Sequence, residues 1–239
     1  MFHVNEIIVL LLNRNKHLFM LMKRILFIFS LFSIISFNAF SQMNGDYNYS
    51  IAIRGYTMMQ MPRILNETNS DNFTDAPLNG IMVKFNDNQI SYRINGSFYN
   101  KSKRFFNNCE TCGEVNGKLT DYSFKIGFEK SFNYSRIQPY FALDLGYRSN
   151  KFDGDLTDQK IEATKKGAVI SPVLGLKINI ARQLSLFAEG NLDFFYSYER
   201  QEFISKSIGN ERTLNKFNKT EFLLNPVSVG VQFYLGNIR

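Results

Sequence analysis

The chain has two cysteines, three positions apart in the stretch FNNCETCGEV (105–114). Cys109-x-x-Cys112 is compatible with three chemistries: a redox centre, part of a metal site, or a stapled loop tip. A thioredoxin-like redox pair sits in a βαβ setting, and no helical pattern flanks this stretch. A structural zinc asks for four ligands. Glu110 and Glu114 are the nearest helpers, so a metal is the weaker alternative and none is expected. Haem attachment needs a His after the second Cys, where Gly113 stands. A Cys109–Cys112 disulfide is therefore the expectation in an oxidising compartment. So small a ring removes about 2 kcal/mol of unfolded-chain entropy, less any strain. It would tighten a loop without holding a fold.

Histidine is the commonest general base, and the two present, His3 and His17, both lie near the N-terminus. From Met22 the sequence reads MKRILFIFSLFSIISFNAFSQ, with a basic pair, an apolar run and small residues at Ala39 and Ser41. This is the pattern of a secretory signal peptide, with cleavage expected between Ser41 and Gln42. The expected organisation is an upstream extension over 1–21 from a mis-called start, a signal over 22–41, and one domain over 42–239. Removal of 1–41 takes both histidines, four basic residues (Arg14, Lys16, Lys23, Arg24) and one acid (Glu6). The net charge falls from +7 to +4. Without a Lys/Arg stripe, that charge does not predict nucleic-acid binding. No enzyme and no cofactor are expected of a chain that has lost its histidines.

A larger set of reactive groups recurs at alternate positions: Arg54, Lys84, Arg93, Lys125, Arg148 and Lys177 with Glu129, Asp144, Glu189 and Asp193. They are either a gate for solutes or a self-paired core, and the elements that carry them decide between the two. After Gln42 the hydrophobic period is two, the signature of half-buried strands. Ile51 and Ile53 alternate with Ala52 and Arg54; Tyr122, Phe124, Ile126 and Phe128 alternate with Ser123, Lys125, Gly127 and Glu129. Eight such segments can be read. Short connections at Asn86–Asn88, Asn133–Ser135 and Ala181–Gln183 alternate with long polar ones near 60–79, 101–118, 150–166 and 199–219.

Short turns on one side and long loops on the other, on an even number of antiparallel strands, are the pattern of a transmembrane up-and-down β-barrel. Aromatics at segment ends (Tyr49, Phe132, Tyr134, Phe195, Tyr196, Tyr198) fit an interfacial girdle. An eight-stranded lumen is only wide enough for side chains, so the inward charges are expected to pair with one another. A soluble lipocalin-like barrel is the alternative that alternation alone leaves open.

Three stretches carry a family likeness: RIQPYFALDLGY (136–147), SPVLGLKINIARQLSLFAEGNLDF (171–194) and NPVSVGVQFYLG (225–236). The chain from 43 to 236 resembles the outer-membrane β-barrel domain family of Gram-negative bacteria. These are the PorT-like "porin family" proteins, akin in architecture to OmpX- and OmpA-type small barrels. The match lies in a Pro-Tyr strand closing on Gly-Tyr, a hairpin running into Phe-Ala-Glu, and a final aromatic strand. It departs where Phe233 and Tyr234 are followed by five more residues instead of closing the chain.

The resemblance implies an outer-membrane monomer with periplasmic termini, handled by the barrel-assembly machinery and surrounded by lipid and lipopolysaccharide. Its expected role is structural, adhesive or docking, with an envelope or extracellular protein met through the loops. Narrow-channel transport of small solutes is the alternative.

Overall fold

The computed structural model describes residues 48–63, 73–87, 90–105, 115–156, 159–206 and 211–236. Eight strands account for most of them: β1 (Tyr49–Gln60), β2 (Phe73–Asp87), β3 (Ile90–Phe105), β4 (Val115–Ser131), β5 (Ile137–Leu156), β6 (Gln159–Ala181), β7 (Leu184–Ser205) and β8 (Arg212–Leu235). Their aromatic and β-branched content suits a pleated surface. Each strand pairs antiparallel with its sequence neighbours, and β1 pairs with β8, closing the barrel. At the near rim, β4 passes to β5 through 132–136 and β6 to β7 through Arg182 and Gln183. The Phe132 amide donates to the Pro139 carbonyl at 3.0 Å, tying the first of these turns to its strand.

The far rim differs from the sequence expectation. The stretches 150–166 and 199–219 are mainly strand: β5 and β6 run on until two residues separate them, and β7 continues to Ser205. Alternation persists there with its chemistry reversed. Phe152, Ile161 and Ala163 are buried inside, and their outward neighbours are polar. Outside a membrane, polar residues on the outer face of a strand are what water demands, so polarity alone does not mark a loop.

Three irregularities set which side chains face the lumen. Register shifts at Gly55 in β1, so the buried set passes from Ser50 and Ala52 to Thr57 and Met59. A second shift lies opposite Gly190, where β8 carries the extra residue. Pro226, which has no N–H to give a ladder, marks that bulge. The buried set of β8 changes there from Gln232 and Ser228 to Asn225, Leu223 and Glu221. The third is in β2, where Leu78 follows Pro77 with φ of 46°. The β2–β3 ladder runs only from Gly80↔Ser97 to Asp87↔Ile90, whereas β3 stays paired with β4 as far as Phe105. On the other side, β1 pairs with β8 only up to Met58↔Val227. Among the described residues the far wall therefore rises highest on β3 to β8, and the β1–β2 side reaches its interior through Met59, Met61 and Ala76.

Candidate functional site

The interior at mid-barrel is ionic. Arg93, fully buried on β3, grips Asp144 on β5 in a bidentate fork, Nε to Oδ1 at 2.7 Å and Nη2 to Oδ2 at 2.6 Å. Its Nη1 donates to Glu189 Oε2 at 3.1 Å and to Glu129 Oε2 at 3.4 Å. One guanidinium thus touches three carboxylates from three strands. Planar guanidinium geometry suits this and an ammonium does not. Around it, Arg54 pairs with Glu189 at 2.9 Å, while Lys84 and Lys177 pair with Glu129 at 2.5 and 3.0 Å. Lys125 and Arg148 share Asp193 at 2.7 and 3.1 Å.

Neutral donors occupy much of what remains of these carboxylates. Asn95 Nδ2 reaches Asp144, Tyr140 hydroxyl reaches Glu189, and Ser171 and Asn191 reach Asp193. Buried charge is tolerable only when paired and hydrogen-bonded in this way.

Glycine makes the room. A Cβ on Gly127 would collide with Asp144 Oδ1, and one on Gly175 with the Tyr140 ring. Tyr140 in turn lies between two cations, with Lys84 and Lys177 Nζ at 5.4 and 5.5 Å from its ring centre. A polar cavity of about 40 Å³ lies among Arg54, Arg93, Asp144, Glu189 and Asp193. That is room for about three waters.

All of the inward charges read from alternation (Arg54, Lys84, Arg93, Lys125, Glu129, Asp144, Arg148, Lys177, Glu189 and Asp193) therefore share one lumen. The sequence reading missed four partners. Asp121 binds Arg148 at 3.0 Å and lies on the inward face of β4 two pairs beyond Lys125. Lys165 sits between Glu199 at 3.1 Å and Glu221 at 2.9 Å, higher in the barrel. Lys165 and Glu199 fell in stretches read as loops, and Glu221 lies beyond the Pro226 bulge. A proline inside an apparent strand was the available signal for the last.

Phe195, assigned to the aromatic girdle, is instead buried with Val169 and Leu223. It occupies an inward position of β7, with the Arg148 guanidinium 5.9 Å from its ring centre. Cys109, Cys112, Ser41 and Gln42 lie outside the described residues. Among the described residues no group of three or more His, Cys, Asp or Glu side chains could hold a metal.

Above the ions the lumen turns apolar: Met59, Met61, Tyr99, Leu119, Phe152 and Ile161 pack together, with Phe203 against them. On the outside the order is opposite. A belt of exposed apolar side chains surrounds the ionic level, including Ile53, Ile81, Ile94, Ile126, Leu145, Leu174, Leu186 and Val229. Leu174 is 67% exposed, so this is a full outer surface and not a core with gaps. No helix among the described residues is long and apolar enough to cross a membrane; only the strands carry the belt.

No protein-family model and no curated protein matches the chain. Solved structures do. The outer membrane protein OprG from Pseudomonas aeruginosa superposes with a TM-score of 0.55 at 10% identity, covering 81% of this chain and 99% of that one. A major outer membrane protein from Thermus thermophilus gives 0.50 at 8% identity, covering 78% and 99%. The chain has the fold of the small eight-stranded barrels. At these identities the likeness establishes the fold and carries no activity with it.

Proposed function

We propose that this protein is an outer-membrane barrel with a structural, adhesive or envelope-docking role, without an open pore and without catalysis. One observation carries the reading: an apolar outer belt lies at the same level as a lumen filled by mutually paired ions. A soluble barrel would reverse those faces, and exposing this belt to water would drive association. Backbone groups in hydrocarbon must all be paired, and closure of β1 on β8 supports that. Within the proposal, residues up to Ser41 direct export and are removed, the near rim and both termini face the periplasm, and the assembly machinery inserts the chain among lipid and lipopolysaccharide. The PorT-like and OmpX-like likeness belongs to the same proposal, as does a Cys109–Cys112 staple in the connection between β3 and β4.

Two measurements test it together. Folded protein extracted from membranes should migrate differently in gels boiled and unboiled, and planar bilayers should record no stable single-channel steps. Recovery of a folded monomer from the detergent-free soluble fraction would overturn the membrane assignment. Narrow-channel transport is the second reading, favoured by the small polar cavity beside Arg93. Conduction requires parting the Arg93–Asp144 fork, so regular current steps would select that reading.

A further inference from the structure

The outer wall of β4 to β8 changes in three consecutive rows just beyond the apolar belt. The lowest row pairs Phe124, Tyr147, Ala168, Tyr196 and Thr220 across five strands. The middle row places Tyr198 directly beside Lys166, with Tyr122 on the other side beyond Ser149. The upper row pairs Lys151 with Thr164, Thr164 with Arg200, and Arg200 with Lys216. All four cations are exposed and on the outer face.

Directly opposed residues on one sheet face stand about 5 Å apart at Cβ, so these groups form one patch. The row above is acidic, yet its charges are already engaged: Lys160 holds Asp153 at 3.3 Å and Glu162 at 2.7 Å, and Arg200 and Arg212 hold Glu202 at 3.1 and 3.5 Å. No carboxylate among the described residues lies within ion-pair distance of Lys151, Lys166 or Lys216. Lys165, one residue from Lys166, is by contrast buried between two glutamates.

We propose that Lys151, Lys166 and Lys216, with Arg200, bind the phosphate groups of the outer leaflet's glycolipid, lipopolysaccharide. The inference rests on the membrane assignment above. Tyrosines seat at the boundary between chains and headgroups, which fixes the depth of the belt's upper edge. Cations on the two rows at and above it then lie at the level of the phosphates. Long lysine stems reach along the wall to place their ammonium groups there, and the Thr164 hydroxyl between Lys151 and Arg200 adds a neutral donor. The carboxylates of the row above are already paired with Lys160 and Arg212, so the cations left for a phosphate are those at the level of the tyrosines.

The purified protein is reconstituted in phosphatidylcholine vesicles containing either bisphosphorylated or dephosphorylated lipid A. Retention of each lipid through detergent extraction is then measured. The wild type should retain the phosphorylated form preferentially. The triple variant K151Q/K166Q/K216Q should lose on the order of tenfold or more of that preference, while the corresponding arginine triple keeps it. K130Q, an outward lysine near the other rim, should change nothing. Equal retention of both lipids, or a glutamine triple variant that folds by gel mobility and binds like wild type, overturns the inference and leaves the barrel assignment standing. Failure of the wild type to enter vesicles overturns both.

Discussion

The middle and the far end of this barrel are built from the same strands yet are opposites in cross-section. In the middle, Arg93 and its carboxylates lie inside and Ile94, Leu145 and Leu174 outside. At the far end, Phe152, Leu119 and Ile161 lie inside and Lys151, Thr164 and Arg200 outside. The exchange can be followed along β5 alone, where inward Asp144, Arg148 and Asn150 give way to Phe152, and outward Leu145 and Tyr147 give way to Lys151 and Asp153. Two-residue periodicity reports that the two faces of a strand differ. Which face is greasy is set by what bathes the outside at that height.

The contrast can be broken at several points. The largest effect is expected inside the belt. Arg93→Leu leaves buried Asp144 without its bidentate partner and Glu189 with Arg54 as its one remaining guanidinium, costing about 3–5 kcal/mol in urea unfolding from vesicles. A loss near zero would mean that the ions are hydrated and the lumen open. Next comes Phe152→Ala, with a cost of about 3 kcal/mol confined to the far end. Protease should then clip the far wall while the boiled and unboiled mobilities stay distinct; loss of both together would show that the two regions unfold as one.

Leu174→Arg on the outer belt should cost about 2–4 kcal/mol, whereas Thr164→Gln, higher on the same strand and face, should be close to neutral. Equal costs would erase the boundary between the regions. The smallest effect concerns acid. The hydrogen bond from Lys160 holds the Glu162 carboxyl below its ordinary range, and Glu162 with Asp153 holds the Lys160 ammonium above its own. A depressed carboxyl contributes stability above its unfolded pKa and loses it as pH falls through the folded value. Far-end proteolysis should therefore rise slightly in acid, and Glu162→Gln should flatten that dependence.

Much of this architecture could be read from the chain. Alternation with short turns at Asn86–Asn88, Asn133–Ser135 and Ala181–Gln183 points to eight strands, and the charges it placed opposite the apolar face lie in one lumen. What stayed hidden has physical causes. Strand length was underestimated because Lys151, Asp153 and Glu162 look like loop residues until Phe152 and Ile161 are seen to share an interior with Leu119. The second ion cluster was lost with it, since Lys165 and Glu199 belong to the same extension. Glu221 needed the change of register that Pro226 introduces. Phe195 sits beside Phe194 and Tyr196, and in such an aromatic run composition cannot say which ring points inward.

The short ladders on either side of the β1–β2 hairpin make it the loosest pair of staves in the cask. Its seams run from Gly80 to Asp87 against β3 and from Tyr49 to Met58 against β8, while β6 and β7 are laced from Gln159 to Ala181. Any breathing of the cylinder therefore starts above the belt, where Met59 and Gln60 pair with Thr74 and Phe73 but no longer with β8. Deuterium should enter the amides of Gln60 and Thr74 long before those of Ile161 and Phe203, which stay within the β6–β7 ladder.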